Sequence, residues 1–361
     1  MADSRNTEKK ANSLKIKLLR AMALAPEART EEKKGAYPGG RFKRFTDIFK
    51  ANNQDLMMVN VFTILFALPM LAVVLFVTLF GAEKFAYVLK GITETPYLMS
   101  GLGFGLSSGV NIAEIKVLTL MSYRIMILGI AIFMPVLGVG VAGAMHVIQK
   151  FIWGERLLTK KDKKTGVDVN RTITEFFRGV KLYWKQMVVI FSVYAVFIAG
   201  GAELILEFIA GLWSGSASVG HWFAVIFGAL FILLSSIVFL NMLPQVVSYG
   251  KNLTLIEMAR NALIYTVAFF VPSFFIAIFM FAPIALFAVG GFVTIIVVIL
   301  FMSVGASYMC LVAANYGDYN SENVLQVLYE QKQTVESRKS RKDKKKDTAQ
   351  QGSVNYKRKK K

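Results

Sequence analysis

The chain has 361 residues, is 55% apolar, carries a formal net charge of +19 and has a mean hydropathy of +0.50. A soluble protein of this size spreads its charges over every surface helix, whereas here long apolar stretches are almost free of them, which argues against a soluble globular class. Continuous apolar runs also argue against a β-barrel, whose strands alternate.

The chain opens on a basic segment, residues 1–55. Within residues 12–24, Leu14, Leu18, Leu19 and Met22 are set among Lys15, Lys17 and Arg20. That pattern suits a helix lying on anionic inner-leaflet lipids. No apolar region precedes the small residues between Ala21 and Ala25, so no cleavable signal is expected and the first span directs insertion.

Six apolar stretches follow, at residues 56–80, 125–147, 187–212, 222–247, 262–285 and 289–314. Each is close to the ~20 residues an α-helix needs to cross the hydrocarbon core. In lipid every backbone amide must be satisfied internally, so these stretches are expected to be helices. The predicted fold is an all-α polytopic membrane helix bundle with about six transmembrane helices, covering residues 56–314. Pro69, Pro135 and Pro272 lie inside spans and are candidate kinks.

Basic residues set the orientation. Lys and Arg crowd the segment before the first span, residues 150–185, Lys251 with Arg260, and the tail from 315 to 361. The opposite side holds residues 81–124, with few cations, and the stretch between Trp213 and His221, with none. Both termini are therefore expected in the cytoplasm, with the chain in the plasma membrane. Residues 81–124 read as an extracytoplasmic loop, and Gly101, Ser107, Ser108 and Gly109 as its flexible part. The tail from Gln331 onward has almost nothing to bury and is expected to be disordered. The basic charge sits where orientation demands it, so nucleic acid is not an expected partner.

Gly138-Val139-Gly140-Val141-Ala142-Gly143 has the letters of a dinucleotide-binding turn, but it lies mid-span with no strand before it. Its physical meaning is helix packing: Gly138 with Ala142, and Gly140 with Ala144, stand four apart and let neighbours approach. Glu203 and Glu207 share a face near the outer end of the third span. They read either as an acidic mouth for a cation or a sugar hydroxyl, or as carboxylates reaching water at headgroup level. Asn241, Pro244 and Gln245 cluster near the inner end of the fourth span. They read as bonds to neighbouring helices or as a substrate contact, and Asn60 in the first span reads the same way.

Thr172-x-x-Glu175 has the form of a capping box. Ile173, Phe176, Phe177, Val180 and Trp184 then follow at helical spacing, flanked by Arg178, Lys181 and Lys185. A basic amphipathic helix running into the third span is expected to lie along the inner surface. It is held there by lipid or docks a cytoplasmic partner protein. Cys310 reads as a small apolar core residue. His146 and His221, at span ends, read as interfacial. No His/Cys/Asp set has metal-ligand spacing, and no nucleophile elbow, HExxH or Walker sequence is present, so no metal, cofactor or catalytic residue is expected.

Several patterns together resemble the YesL-like family, polytopic membrane proteins of Gram-positive bacteria whose molecular role is undefined. Residues 42–49, then Asn60 and Leu65-Phe66-Ala67-Leu68-Pro69, look like its first span. Pro135-Val136-Leu137-Gly138 with Ala142 to Ala144 is similar to its small-residue stretch. Gly154-Glu155, Phe176-Phe177 and Lys181-x-x-x-Lys185-Gln186 resemble its cytoplasmic loop, and Asn261-Ala262 with Pro272 its later loop-to-span junction. The family keeps the first-span proline and the small-residue stretch close together; here residues 70–134 separate them.

The resemblance implies association with carbohydrate uptake beside a membrane transporter, and no enzyme. The expected function is a non-enzymatic accessory or scaffold component of solute uptake. The alternatives are a secondary transporter and an ABC-importer permease-like subunit. Of the latter's cytoplasmic loop, Glu257-Met258-Ala259 with Pro272 is a faint echo that lacks the glycine.

Overall fold

The computed structural model describes residues 19–26, 40–89, 112–154, 159–161, 168–286, 291–321, 324–325 and 327–337. Its helices are α1 (Arg41–Ala51), α2 (Asn53–Leu89), α3 (Ile112–Ile152), α4 (Thr172–Trp213), α5 (Val219–Tyr249), α6 (Leu255–Ala268), α7 (Phe270–Ala285), α8 (Gly291–Leu300) and α9 (Ala306–Ser321). A π-helical segment, Phe301–Gly305, joins α8 to α9. Between α3 and α4 lies an antiparallel ribbon, β1 (Thr159–Lys161) with β2 (Asp168–Asn170), in which Thr159 pairs with Asn170. The fold is an all-α bundle with, among the described residues, five helices long and apolar enough to cross a membrane, or six if the bent α6–α7 pair is one span.

The central helix is α3, which packs extensively on both α2 and α4. The small residues make this possible. A Cβ on Gly138 would lie 2.9 Å from the Phe191 ring of α4, one on Gly140 would lie 2.8 Å from Phe66 Cβ of α2, and one on Gly143 would lie 2.9 Å from the Phe176 ring. Ala142 and Ala144 are fully buried. The Gly138–Ala142 face thus meets α4 and the Gly140–Ala144 face meets α2. The separation of residues 70 and 134 in sequence does not keep α2 from packing on α3.

Two glycines in the left-handed region stop these helices. Gly154 (φ 73°) follows α3, and its N–H donates to Phe151 O. Gly215 (φ 71°) follows α4 in a Schellman arrangement: Gly215 N–H reaches Leu212 O and Ser216 N–H reaches Gly211 O.

Several elements differ from the sequence reading. Residues 81–124 do not form one loop, because α2 runs on to Leu89 and α3 starts at Ile112. The Gly101 to Gly109 stretch lies outside the described residues. Residues 172–185 are not a separate surface helix. They are the first turns of the 42-residue α4, continuous with the third span: no proline interrupts the backbone ladder there, and Gly179 stays helical, packed against His146 and Ala142 of α3. Residues 327–337 are helical, not disordered. The stretch 262–285 is not straight: α6 and α7 meet at 104°. Pro272 explains the break, since its ring would clash with the carbonyl of Ala268, where α6 ends, while the missing N–H costs nothing in the first turn of α7. Pro69, Pro135 and Pro244 sit inside helices that continue past them.

The connectivity of the two bundle ends follows. α5 finishes beside α4's first half, where Gln186 Nε2 donates to Gly250 O at 2.6 Å. α6 starts from that end. The last turns of α9 return to the same end, against α1 and the end of α3. The bent α6–α7 pair therefore carries the chain from one end of the bundle to the other, as a broken span and not as a re-entrant loop.

Candidate functional site: a buried ionic layer

The end of the bundle that gathers α1, the start of α4 and the last turns of α3 and α9 holds two buried ionic nodes. In the first, Asp318 of α9 is fully buried and Arg44 of α1 reaches it, Nη2 to Oδ2 at 2.8 Å. The same Nη2 donates to Ile152 O at 3.0 Å. On the other carboxylate oxygen, Gln149 Nε2 and Trp153 Nε1 each donate at 3.0 Å. A charge taken out of water is tolerable only when paired and hydrogen-bonded, and Asp318 has both.

The chain arranges this node locally. Gly317 lies against the ring of Pro244, where no Cβ fits, so α9 can close on α5 beside Asp318. The left-handed Gly154 stops α3 one residue after Trp153 and leaves its last turn, with Ile152 O, free to face Arg44. Aromatic packing of Phe45 on Phe279 and Tyr308 holds α1 in place.

The second node centres on Glu175 of α4. Lys150 Nζ donates to Oε2 at 2.9 Å, His146 Nε2 stands 3.3 Å from the same oxygen, and Arg178 Nη1 lies 3.5 Å from Oε1. Gln149 and Lys150 are consecutive on α3, so one helical turn serves both nodes. Close by, Thr172 Oγ1 donates to Asp55 Oδ1 of α2 at 2.7 Å.

These contacts correct one reading. Thr172 and Glu175 form no capping box; α4 starts with Arg171 at its N-cap and no side-chain cap bond, because Lys150 and Asp55 take the two side chains. A capping box does form at α6. There Thr254 N–H donates to Glu257 Oε2 at 2.7 Å and Glu257 N–H to Thr254 Oγ1 at 3.3 Å. His146, at the end of its span, is buried against Glu175 and the Tyr183 ring, since one helical turn separates it from Lys150 on the face that α4 covers. His221 caps the start of α5, its Nδ1 accepting Ser218 N–H at 3.1 Å.

At the opposite end, Glu203 and Glu207 both pair with Arg124 of α3, Glu203 Oε1 at 2.6 Å from Nε. All three side chains are 41–50% exposed. Lys116 Nζ donates to Trp213 O nearby.

The polar residues in the fourth span bond chiefly to their own helix, Asn241 Nδ2 to Ile237 O at 3.0 Å and Gln245 Nε2 to Asn241 O at 2.9 Å. From Asn241 one contact leaves the helix, Asn320 Nδ2 of α9 donating to Asn241 Oδ1 at 3.2 Å, and Ser236 meets Tyr194 of α4 at 2.9 Å. Asn60 does more. Its Nδ2 donates to Phe301 O (3.1 Å) and Met302 O (2.7 Å), and its Oδ1 accepts from Ala306 N (2.8 Å) and Ser307 N (3.1 Å). One buried carboxamide thus serves both sides of the π segment, where the α-ladder is interrupted.

The amphipathic face of α4 divides. Phe176 is buried in the core between Phe62 and Phe66, Val180 is half-buried, and Phe177 and Trp184 are exposed. Cys310 is buried. Among the described residues no group of three His, Cys, Asp or Glu could hold a metal ion.

Arg44, Gln149, Lys150, Trp153 and Asp318 were not singled out in the sequence. The available signal was Asp318 itself, a carboxylate amid Tyr316, Gly317 and Tyr319 directly after an apolar span. Its partners are far away in sequence, so no spacing rule finds them.

No protein-family model, curated protein or solved structure matches this chain. The site's own geometry carries the functional argument.

Proposed function

We propose that this chain is a non-enzymatic accessory or scaffold subunit of the plasma membrane that serves solute uptake, with both termini in the cytoplasm. Support comes from the disposition of its paired charge. Asp318 is held by Arg44, Glu175 by Lys150, and Glu203 by Arg124. Each acid is closed onto a cation at one end of the bundle or the other. A carrier coupled to protons or sodium uses an acid near mid-depth that exchanges partners. Closed pairs that tie α1, α3, α4 and α9 together suit a rigid platform. The resemblance to YesL-like proteins adds carbohydrate import as the solute class and a membrane transporter as the partner. The basic loops support the orientation.

The second reading is a transporter in its own right. It is favoured by the interrupted helices, the 104° break at Phe269 and the π segment braced by Asn60. Transporters place binding sites at such interruptions. A permease-like subunit gains little, because the Glu257 carboxylate is committed to capping α6.

Proteoliposomes decide between the two. Purified protein under a proton or sodium gradient is expected to show no solute-dependent flux, and to co-purify in stoichiometric amount with a transport complex. Robust flux from the purified chain, abolished by Glu203→Gln, would overturn the accessory reading.

A further inference from the structure

One long helix measures the membrane. The Arg124–Glu203 ion pair marks one rim of α4. Trp184 lies roughly 28 Å away along the helix at 1.5 Å per residue, close to the ~30 Å hydrocarbon thickness. Between these levels α4 exposes Val189, Val193, Val196 and Phe197, an apolar surface with no polar side chain among them.

That surface changes character at Trp184. Going toward the start of α4, the exposed residues include Lys185, Trp184, Lys181, Arg178 and Phe177, spaced three and four apart on one stripe, with Leu182 exposed beside them. Lys185 Nζ stands 5.7 Å from the Trp184 ring centre. Arg178 shares Glu175 at 3.5 Å, but Glu175 is already taken by Lys150. Among the described residues no carboxylate pairs with Lys181 or Lys185. Lys181 and Lys185, with no carboxylate partner among the described residues, and Arg178, which shares Glu175 with Lys150, thus alternate with aromatic rings at headgroup depth. Long Lys and Arg stems lie along apolar surface and place their charges among phosphates, and Trp rings settle at the same level.

We infer that the stripe Phe177–Arg178–Lys181–Trp184–Lys185 is a seat for anionic phospholipid, its phosphate facing the three cations and its upper acyl carbons the two rings. Two observations select lipid over a cytoplasmic protein. The stripe continues without a break into the lipid-facing surface of the span, and its charge complements the anionic leaflet. The inference holds whether the chain is an accessory subunit or a carrier.

The test uses the purified full chain in mild nonionic detergent and follows its thermal unfolding midpoint as lipid is added. Phosphatidylglycerol is expected to raise the midpoint, phosphatidylcholine to raise it less and inorganic phosphate not at all. In Arg178→Gln/Lys181→Gln/Lys185→Gln the phosphatidylglycerol needed for half the shift is expected to rise at least tenfold; about 1 kcal/mol per basic residue corresponds to fivefold per charge. Lys181→Arg/Lys185→Arg is expected to retain the response, and so is a variant losing three tail charges at Lys357, Arg358 and Lys359. If the triple variant unfolds early, lipid retention by native mass spectrometry replaces the midpoint and must show the same loss. An unchanged response in the triple variant overturns the assignment, as does an equal response to inorganic phosphate. Loss of a co-purifying protein with the lipid response intact would assign the stripe to a protein partner instead.

Discussion

Arg44 and Asp318 meet at 2.8 Å across a sequence separation of 274 residues. Every described span lies between them. The pair joins the helix before the first span to the end of the last, and it requires an even number of crossings between the two.

Removing one partner is therefore costly. Arg44→Leu leaves a buried carboxylate with only neutral donors, and the expected loss is about 3–5 kcal/mol. Arg44→Leu with Asp318→Leu is expected to lose less than the sum of the single changes. Denaturant unfolding in detergent, run as a double-mutant cycle, measures this. A single-variant loss under about 1 kcal/mol would show that the pair is hydrated and the node open.

Asn60→Leu removes two hydrogen bonds to the π segment and two to the first residues of α9 while keeping the side chain's bulk. Interhelical bonds in membranes average near 0.6 kcal/mol, so the expected loss is about 2–3 kcal/mol. The readout specific to this site is amide exchange at Ala306 and Ser307, which should quicken more than exchange elsewhere in α9. Uniform change along α9 would mean the π turn is held by its neighbours and not by Asn60.

Gly140→Leu drives a side chain into Phe66, which a Cβ at that position would already meet at 2.8 Å. The expected outcome is a lower yield of folded protein in detergent, with partial rescue by Phe66→Ala. Wild-type yield from Gly140→Leu alone would place that face toward lipid.

Orientation is checked with single cysteines at Lys163 and Ser216 in a Cys310→Ala background. An impermeant thiol reagent on whole cells is expected to label Ser216→Cys and not Lys163→Cys. The reverse pattern would place the ionic layer on the outer face.

The spans were legible because backbone satisfaction in lipid leaves continuous apolar runs only one conformation, and the small-residue face because glycine and alanine four apart have a direct steric meaning. What failed had long-range causes. Thr172-x-x-Glu175 and Thr254-x-x-Glu257 carry the same cap pattern, yet only the second forms, since Lys150 and Asp55 compete for the first. Pro272 was visible as a possible kink, but a 104° turn depends on what receives α7, including Ser273 hydrogen-bonded to Tyr316 at 2.7 Å. Glu203 drew attention as an acid at depth, while its neutralising Arg124 belongs to another helix. The ionic layer stayed hidden because Lys and Arg near span ends look alike whether they face water or a buried acid.

The Arg44–Asp318 contact also imposes an order on biosynthesis. A ribosome adding about 5–20 residues per second makes the arginine roughly a quarter to a full minute before its carboxylate. During that interval Arg44 has Ile152 O but not the carboxylate, and Gln149 and Trp153 wait for the same group. The helix before the first span can therefore be among the last to settle, and a chain released short of Asp318 carries an open latch that quality-control proteases can read.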